Sequence, residues 1–197
     1  MRIFRTAPFL GLLTGFLLMA GCAQSPHYLQ VEPNVGQDLP QVGNGQSVTL
    51  DVVDGRESDV LGTRSGSAMS TAVISVEAYD LMPKLKNQAE VALSQMGFNP
   101  TSEPAPNRPS LILTLTDLSY QKTEGKPMLD KAVLLARFRA VASNERQTYT
   151  GTYTAKRDQE YALKPNRENN TAMVNDLLSR ALQRTFNDPQ IGNLLAR

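Results

Sequence analysis

A chain of 197 residues with 41% hydrophobic and 20% charged residues has enough apolar material for one domain with a core, and too much for a disordered chain. One Cys, one His and no Trp exclude a disulfide scaffold and a zinc site built from Cys and His. With 20 basic against 19 acidic side chains, there is neither the basic excess that marks nucleic-acid binding nor an acidic tail for a basic partner.

Residues 1–21 read as a signal peptide. Arg2 and Arg5 make a positive start, and Ala7 to Ala20 is apolar apart from Pro8, Gly11, Thr14 and Gly15. That stretch is shorter than the roughly 20 residues a membrane-spanning helix needs. It ends in Leu18-Met19-Ala20-Gly21-Cys22, which resembles the bacterial lipobox with Met19 in the place usually held by Leu. The resemblance implies that Cys22 is acylated and becomes the first mature residue, so that a bilayer is the first partner. Two or three acyl chains hold a protein stably, at about 0.8 kcal/mol per buried CH₂. Ala23 follows, where an Asp would argue against export, so the expected location is the periplasmic face of the outer membrane.

Residues 22–47 read as the lipidated Cys and a flexible tether, with Pro26, Pro33, Gly36, Pro40, Gly43 and Gly45 and no regular period. A flexible chain of about 25 residues has an r.m.s. span of roughly 27 Å, enough to float a domain away from the bilayer. His27 and Tyr28 fall in this segment and read as solvated.

One folded domain is expected over 48–197. Val48, Leu50 and Val52 alternate with polar residues as a strand that Asp54-Gly55 ends. Arg56 to Ser70 reads as a long loop, and Thr71 to Val76 as a short extended segment. A helix follows, capped by Asp80, with Pro83 in its first turn and an apolar stripe of Leu81, Leu85, Ala89, Ala92, Leu93 and Met96. Gly97 stops it. Asn99 to Pro109 holds four prolines and reads as loop. Leu111, Leu113 and Leu115 mark a strand reaching Tyr120, and Thr123 to Pro127 a turn. Ala132, Leu134, Ala136, Phe138 and Ala140 form the core face of the next strand. Ser143 to Arg146 connects it to a strand over Gln147 to Ala155. Arg157 to Glu168 reads as irregular. A second helix from about Asn170 carries Val174, Leu177, Leu178, Ala181, Leu182 and Phe186, and Asp188-Pro189 starts a short third one. The order β-α-β-β-β-α predicts an α+β domain: an antiparallel sheet of about four strands with two helices packed on one face.

The chain resembles the YajG family of Gram-negative lipoproteins. The likeness rests on the lipobox, on a strand ending in Asp54-x-Arg56 followed by Gly62-x-Arg64, on a helix closing at Gly97-Phe98, and on the terminal helix. It implies an envelope lipoprotein of this fold and supplies no activity.

Two groups of residues are candidate sites. Asp51, Asp54, Glu57 and Asp59 crowd together, as acid–base or cation-binding carboxylates do, but Arg56 and Arg64 stand beside them and their spacing is not that of a calcium loop. The competing reading is a turn in which Asp54 bonds its own loop and pairs with Arg56 or Arg64. Arg137, Arg139, Tyr149 and Tyr153 lie on neighbouring strands. Facing outward together they would form a platform for glycans or lipid headgroups. Otherwise the tyrosines face the helices and the arginines face water. Ser65, Ser67 and Ser70 lack a His to activate them, and the glycines around them lack the Lys-Ser/Thr of a phosphate loop. No cofactor motif is present. The expected function is that of a non-enzymatic envelope lipoprotein that binds an envelope protein, glycan or lipid. Lipid or lipopolysaccharide handling, or hydrolysis through the carboxylates near Asp54, are the alternatives.

Overall fold

The computed structural model describes residues 25–65, 71–123, 130–161 and 165–197. In chain order the elements are β1 (His27–Tyr28), β2 (Ser47–Asp54), β3 (Val60–Thr63), β4 (Val73–Ser75), α1 (Ala78–Gln95), β5 (Asn99–Thr101), β6 (Ser110–Thr123), β7 (Asp130–Ser143), β8 (Thr148–Tyr161), α2 (Arg167–Phe186) and α3 (Pro189–Leu195). They build a five-stranded sheet in the order β5-β2-β6-β7-β8 and a small sheet in the order β1-β4-β3. Both long helices pack on one face of the large sheet, α1 over β2 and β5, and α2 over β7 and β8.

The α+β class and the one-sided helix layer agree with the expectation, but the wholly antiparallel sheet does not. β2 pairs parallel with β6, Leu50 beside Leu111 and Asp54 beside Leu115, and parallel with β5. A parallel pair needs a long crossover, and the segment carrying α1 supplies it. The hairpins β6–β7 and β7–β8 are antiparallel as expected, the first with a bulge between Leu115 and Asp117. Across them Leu113, Ala140 and Gly151 lie in one row and Leu115, Phe138 and Tyr153 in the next, so the assigned core face is the real one. Leu134, Ala136, Phe138 and Ala140 are at most 1% exposed.

Three segments read as loop contain strands. β3 lies within 56–70, and β5 opens the proline-rich stretch at the sheet edge, where the missing N–H of Pro100 is tolerated. β8 runs to Tyr161 through the polar Lys156 to Glu160, because its register with β7 continues to Asp130. The Thr123–Pro127 turn lies mostly outside the described residues.

α1 also starts differently. Its cap position is Glu77, whose side chain makes no capping bond, and Pro83 stands inside the helix rather than in its first turn. The Ala78 N–H donates instead to Asp59 Oδ1 (3.0 Å), a cap delivered from a distant loop. Asp80 pairs with Lys84 at 2.9 Å. The far end is as expected: Gly97 has φ +89, its N–H donates to the Ser94 carbonyl, and the Phe98 N–H donates to the Leu93 carbonyl. This pair of bonds needs a residue in the left-handed region, which Gly adopts without strain. α2 is capped by Asn166, whose side chain accepts from the Asn169 N–H.

The largest correction concerns the tether. From Ser25 onward it is part of the fold. β1 pairs parallel with β4, and Leu29, Val31 and Val35 are 3%, 0% and 1% exposed. The chain then runs as a strap along the seam between α1 and α2. The Glu32 N–H donates to Asn175, the Asn34 N–H to Ser179 and the Val35 N–H to Gln88. Gln95 donates to the Gly36 carbonyl, and the Val42 and Gly43 N–H groups donate to the Met96 carbonyl. Leu29, Val31, Pro33 and Val35 are buried while Gln30, Glu32 and Asn34 are exposed. The strap therefore follows the period of two that marks an extended chain, interrupted by a proline that hides it. The folded unit begins no later than Ser25, well before Val48.

Burying a Val is worth about 1.5–3 kcal/mol. Val31→Ala is expected to lower the melting temperature of a soluble Cys22→Ser chain by several degrees, and a chain starting at Val48 to lose cooperative unfolding. Thermal unfolding followed by circular dichroism reads both.

Candidate functional site

The carboxylate cluster sits where β2 ends, under the first turn of α1. Arg56 organises it. Its guanidinium donates through Nε to Asp54 Oδ1 (2.9 Å) and through Nη2 to Asp54 Oδ2 (2.8 Å), a bidentate pair. Nη2 also donates to Asp59 Oδ1 (3.0 Å) and Nη1 to the Val76 carbonyl (3.0 Å). The Arg56 backbone N–H returns to Asp54 Oδ1 at 3.1 Å, which closes the turn. The Arg56 side chain is 3% exposed. One buried cation thus ties the end of β2, the loop before β3 and the β4–α1 junction together.

Burial raises the Asp54 carboxyl, but the Arg56 side-chain and backbone hydrogen bonds outweigh it and hold the pKa below the ordinary value. A general acid would be shifted the other way. Asp59 spends the oxygen facing Arg56 on the Ala78 N–H as well. Asp51 and Glu57 are exposed. Among the described residues no group of three His, Cys, Asp or Glu side chains is arranged to hold a metal.

The other sequence candidates separate. Arg64 is not Asp54's partner; its Nη2 donates to the Ser25 carbonyl and fastens the start of the described chain. At Gly62, a Cβ would stand 1.9 Å from the Tyr120 carbonyl oxygen, so the Gly-x-Arg feature marks β3 crossing β6 at contact distance. Cys22 lies outside the described residues.

The aromatic and cationic residues fall on opposite faces. Phe138 is the cross-strand partner of Tyr153, while Arg137 pairs with Thr154 and Arg139 with Thr152. The outward platform of arginines and tyrosines therefore does not form. Tyr149 and Tyr153 turn toward α3, where both hydroxyls donate to Asp188 Oδ2, at 2.8 and 2.5 Å. Asp188 Oδ1 meanwhile accepts from the Gln190 N–H and caps α3. Burial raises Asp188 and these hydrogen bonds lower it, with a net downward shift. Burial and the Asp188 bond push Tyr153 up, and the Asp188 bond does the same to Tyr149. Asp188 was read only as a helix start; its second role depends on β8 folding back against α3, which no local spacing reveals.

The helix-free face of the sheet is the other feature of note. It carries Val53 and Ile112, 39% and 41% exposed, with Arg139 exposed beside them and Arg137 near Asp117 at 3.7 Å.

The fold, a small α+β domain, has been seen before in a crystal structure. A solved uncharacterized protein matches at TM-score 0.52 and 12% identity, over 84% of this chain and 99% of that one. A minor lipoprotein from Acinetobacter baumannii matches at TM-score 0.45 and 15% identity, over 75% and 92%. Rare lipoprotein B from Shewanella oneidensis matches at 0.46 and 12%, over 73% and 93%. No curated protein matches the chain. The profile of the Lipoprotein_16 family, described as uncharacterized lipoprotein, matches residues 33–196, and the chain belongs to that family. This is the lipoprotein family that the lipobox, the Asp54-x-Arg56 turn and the Gly97-Phe98 helix end resemble. Among the described residues no helix is long and apolar enough to cross a membrane.

Asp54→Asn is expected to destabilise the fold by about 1–3 kcal/mol at neutral pH, since it breaks the bidentate pair and leaves the buried Arg56 with Asp59 as its remaining carboxylate partner. A depressed carboxyl stabilises the fold above its unfolded pKa of about 3.9, and that contribution is lost as pH falls through the lower folded value. The gap between wild type and Asp54→Asn should therefore close below about pH 4, as measured by melting temperature against pH.

Proposed function

We propose that the protein is an acylated lipoprotein held on the periplasmic face of the outer membrane through Cys22. In this reading it works without chemistry of its own, by presenting the helix-free face of its sheet to a protein of the envelope. The observation that carries the reading is the one-sided helix layer. Both long helices cover the same face, and the other is left with apolar, threonine and arginine side chains, among them Val53, Ile112 and Arg139. Arginine set among accessible apolar groups is a composition enriched at protein interfaces. The carboxylates that suggested hydrolysis support a structural role instead, because Arg56 engages both Asp54 and Asp59.

Cys22→Ser is expected to move the protein from the membrane to the soluble fraction; retention after a salt wash would end the lipoprotein mechanism. A photoreactive residue at Ile112 is expected to give one discrete adduct in intact cells, weakened several-fold by Arg139→Glu with the melting temperature unchanged. Equal adducts from Asn87, on the helix layer, would show that the sheet face is not the binding surface.

A further inference from the structure

The strap also decides how the domain stands on its membrane. The chain is fixed to the fold as far back as Ser25, whose carbonyl accepts from Arg64, and β1 is locked beside Ile74 and Ser75. Ser25 is three residue steps beyond Cys22, with Ala23 and Gln24 between them. An extended chain advances at most about 3.6 Å per residue, so the two α-carbons are no more than about 11 Å apart. A floating tether would have given more than twice that. An anchor so short brings one particular end of the domain against the bilayer.

That end is defined by β1 and by the first turns of α1 and α2. His27 Nδ1 lies 3.1 Å from the Asn170 side chain, near the start of α2. Between the three elements is an open cleft of about 640 Å³, lined by Tyr28, Tyr79 and Arg167 among others. Tyr28 is 59% and Tyr79 81% exposed, and the described residues include no other exposed tyrosine or phenylalanine. Tyrosine has an apolar ring and a polar tip, and it concentrates where membrane proteins meet the headgroup layer. The charges nearby leave a small acidic excess, since Glu77 also lines the cleft. Lys84 bridges Asp80 and Glu32, and Arg167 lies 3.9 Å from Glu168. Electrostatic attraction to anionic lipid is thus a minor contribution, and the aromatic rings are the groups suited to the interface.

We propose that this end of the domain rests on the lipid headgroup layer beside the anchor, with Tyr28 and Tyr79 seated among the headgroups. The domain is thereby held upright at a fixed orientation. The β7–β8 hairpin tip, beyond the far end of the 20-residue α2, stands away from the bilayer by about 30 Å, the length of that helix. The proposal rests on acylation of Cys22.

The test uses the acylated full chain in vesicles of phosphatidylethanolamine and phosphatidylglycerol, with a fluorophore placed on Gln30→Cys or on Arg146→Cys and nitroxide quenchers on the lipid headgroups. Both positions are exposed, one at the anchored end and one at the hairpin tip. The expected result is at least threefold stronger quenching at residue 30 than at 146, little changed by 0.5 M salt. Tyr28→Ser with Tyr79→Ser should raise quenching at residue 146 and reduce that difference to the part the short anchor alone imposes, while the chain still floats with the vesicles and melts as before; an unchanged difference would overturn the seating of the tyrosines. Equal quenching at both ends in a chain that floats would overturn the docking and leave the anchor standing. A chain that fails to float would overturn the acylation, and the docking with it.

Discussion

The strap between α1 and α2 is the constraint on which the rest of the molecule depends. Two helices laid on one sheet face leave a seam, and here extended chain fills much of it beside a small direct contact between the helices. Leu29, Val31, Pro33 and Val35 supply the apolar side, while the opposite side faces water. An extended chain without a strand neighbour must find acceptors for its N–H groups. Asn175, Ser179 and Gln88 provide them from the two helices. The strap therefore sets the spacing of the helices and, through β1, carries the small sheet.

The Arg56 cluster performs the corresponding task at the end of the sheet. One guanidinium holds two carboxylates and a carbonyl, and one of those carboxylates caps α1. The pairing holds the Asp54 carboxyl below its ordinary pKa, and both carboxylates spend oxygens on hydrogen bonds within the fold. The Tyr149, Tyr153 and Asp188 triad is its counterpart at the other end, fastening β8 to the start of α3. Both clusters combine a depressed carboxyl with full hydrogen bonding, the pattern of structural rather than reactive groups.

With the two ends so tied, the surface that remains is the helix-free face of a long, twisted sheet. In the proposed arrangement, a chain acylated at Cys22, with its strap packed in the domain, would present that face at a defined height and angle. A floating domain would present it in all directions. Recognition by a partner lying along the same membrane, as proposed, would gain from that restriction, because less orientational freedom would be lost on binding.

The apolar cores of the helices and of the β6–β8 meander were legible, though the start of α1 and the polar end of β8 were not. Their apolar stripes recur at 3.6 or 2, and the breaks at Gly97, Asn144 and Asp188-Pro189 are local chemistry. The Asp54–Arg56 turn was legible too, since its partners are two residues apart. Which strand lies beside β2 was not, because parallel pairing with β6 joins segments some sixty residues apart and leaves no mark on either one. The cap from Asp59, the tyrosine partners of Asp188 and the contact of Gly62 with Tyr120 were hidden for the same reason. The strap lies between these cases: its alternation from Leu29 to Val35 is written in the chain, but proline and glycine composition masks it. Periodicity along the chain determines which face of each element is apolar; only the tertiary structure decides what covers that face, because burial is a property of two surfaces and the chain specifies them one at a time.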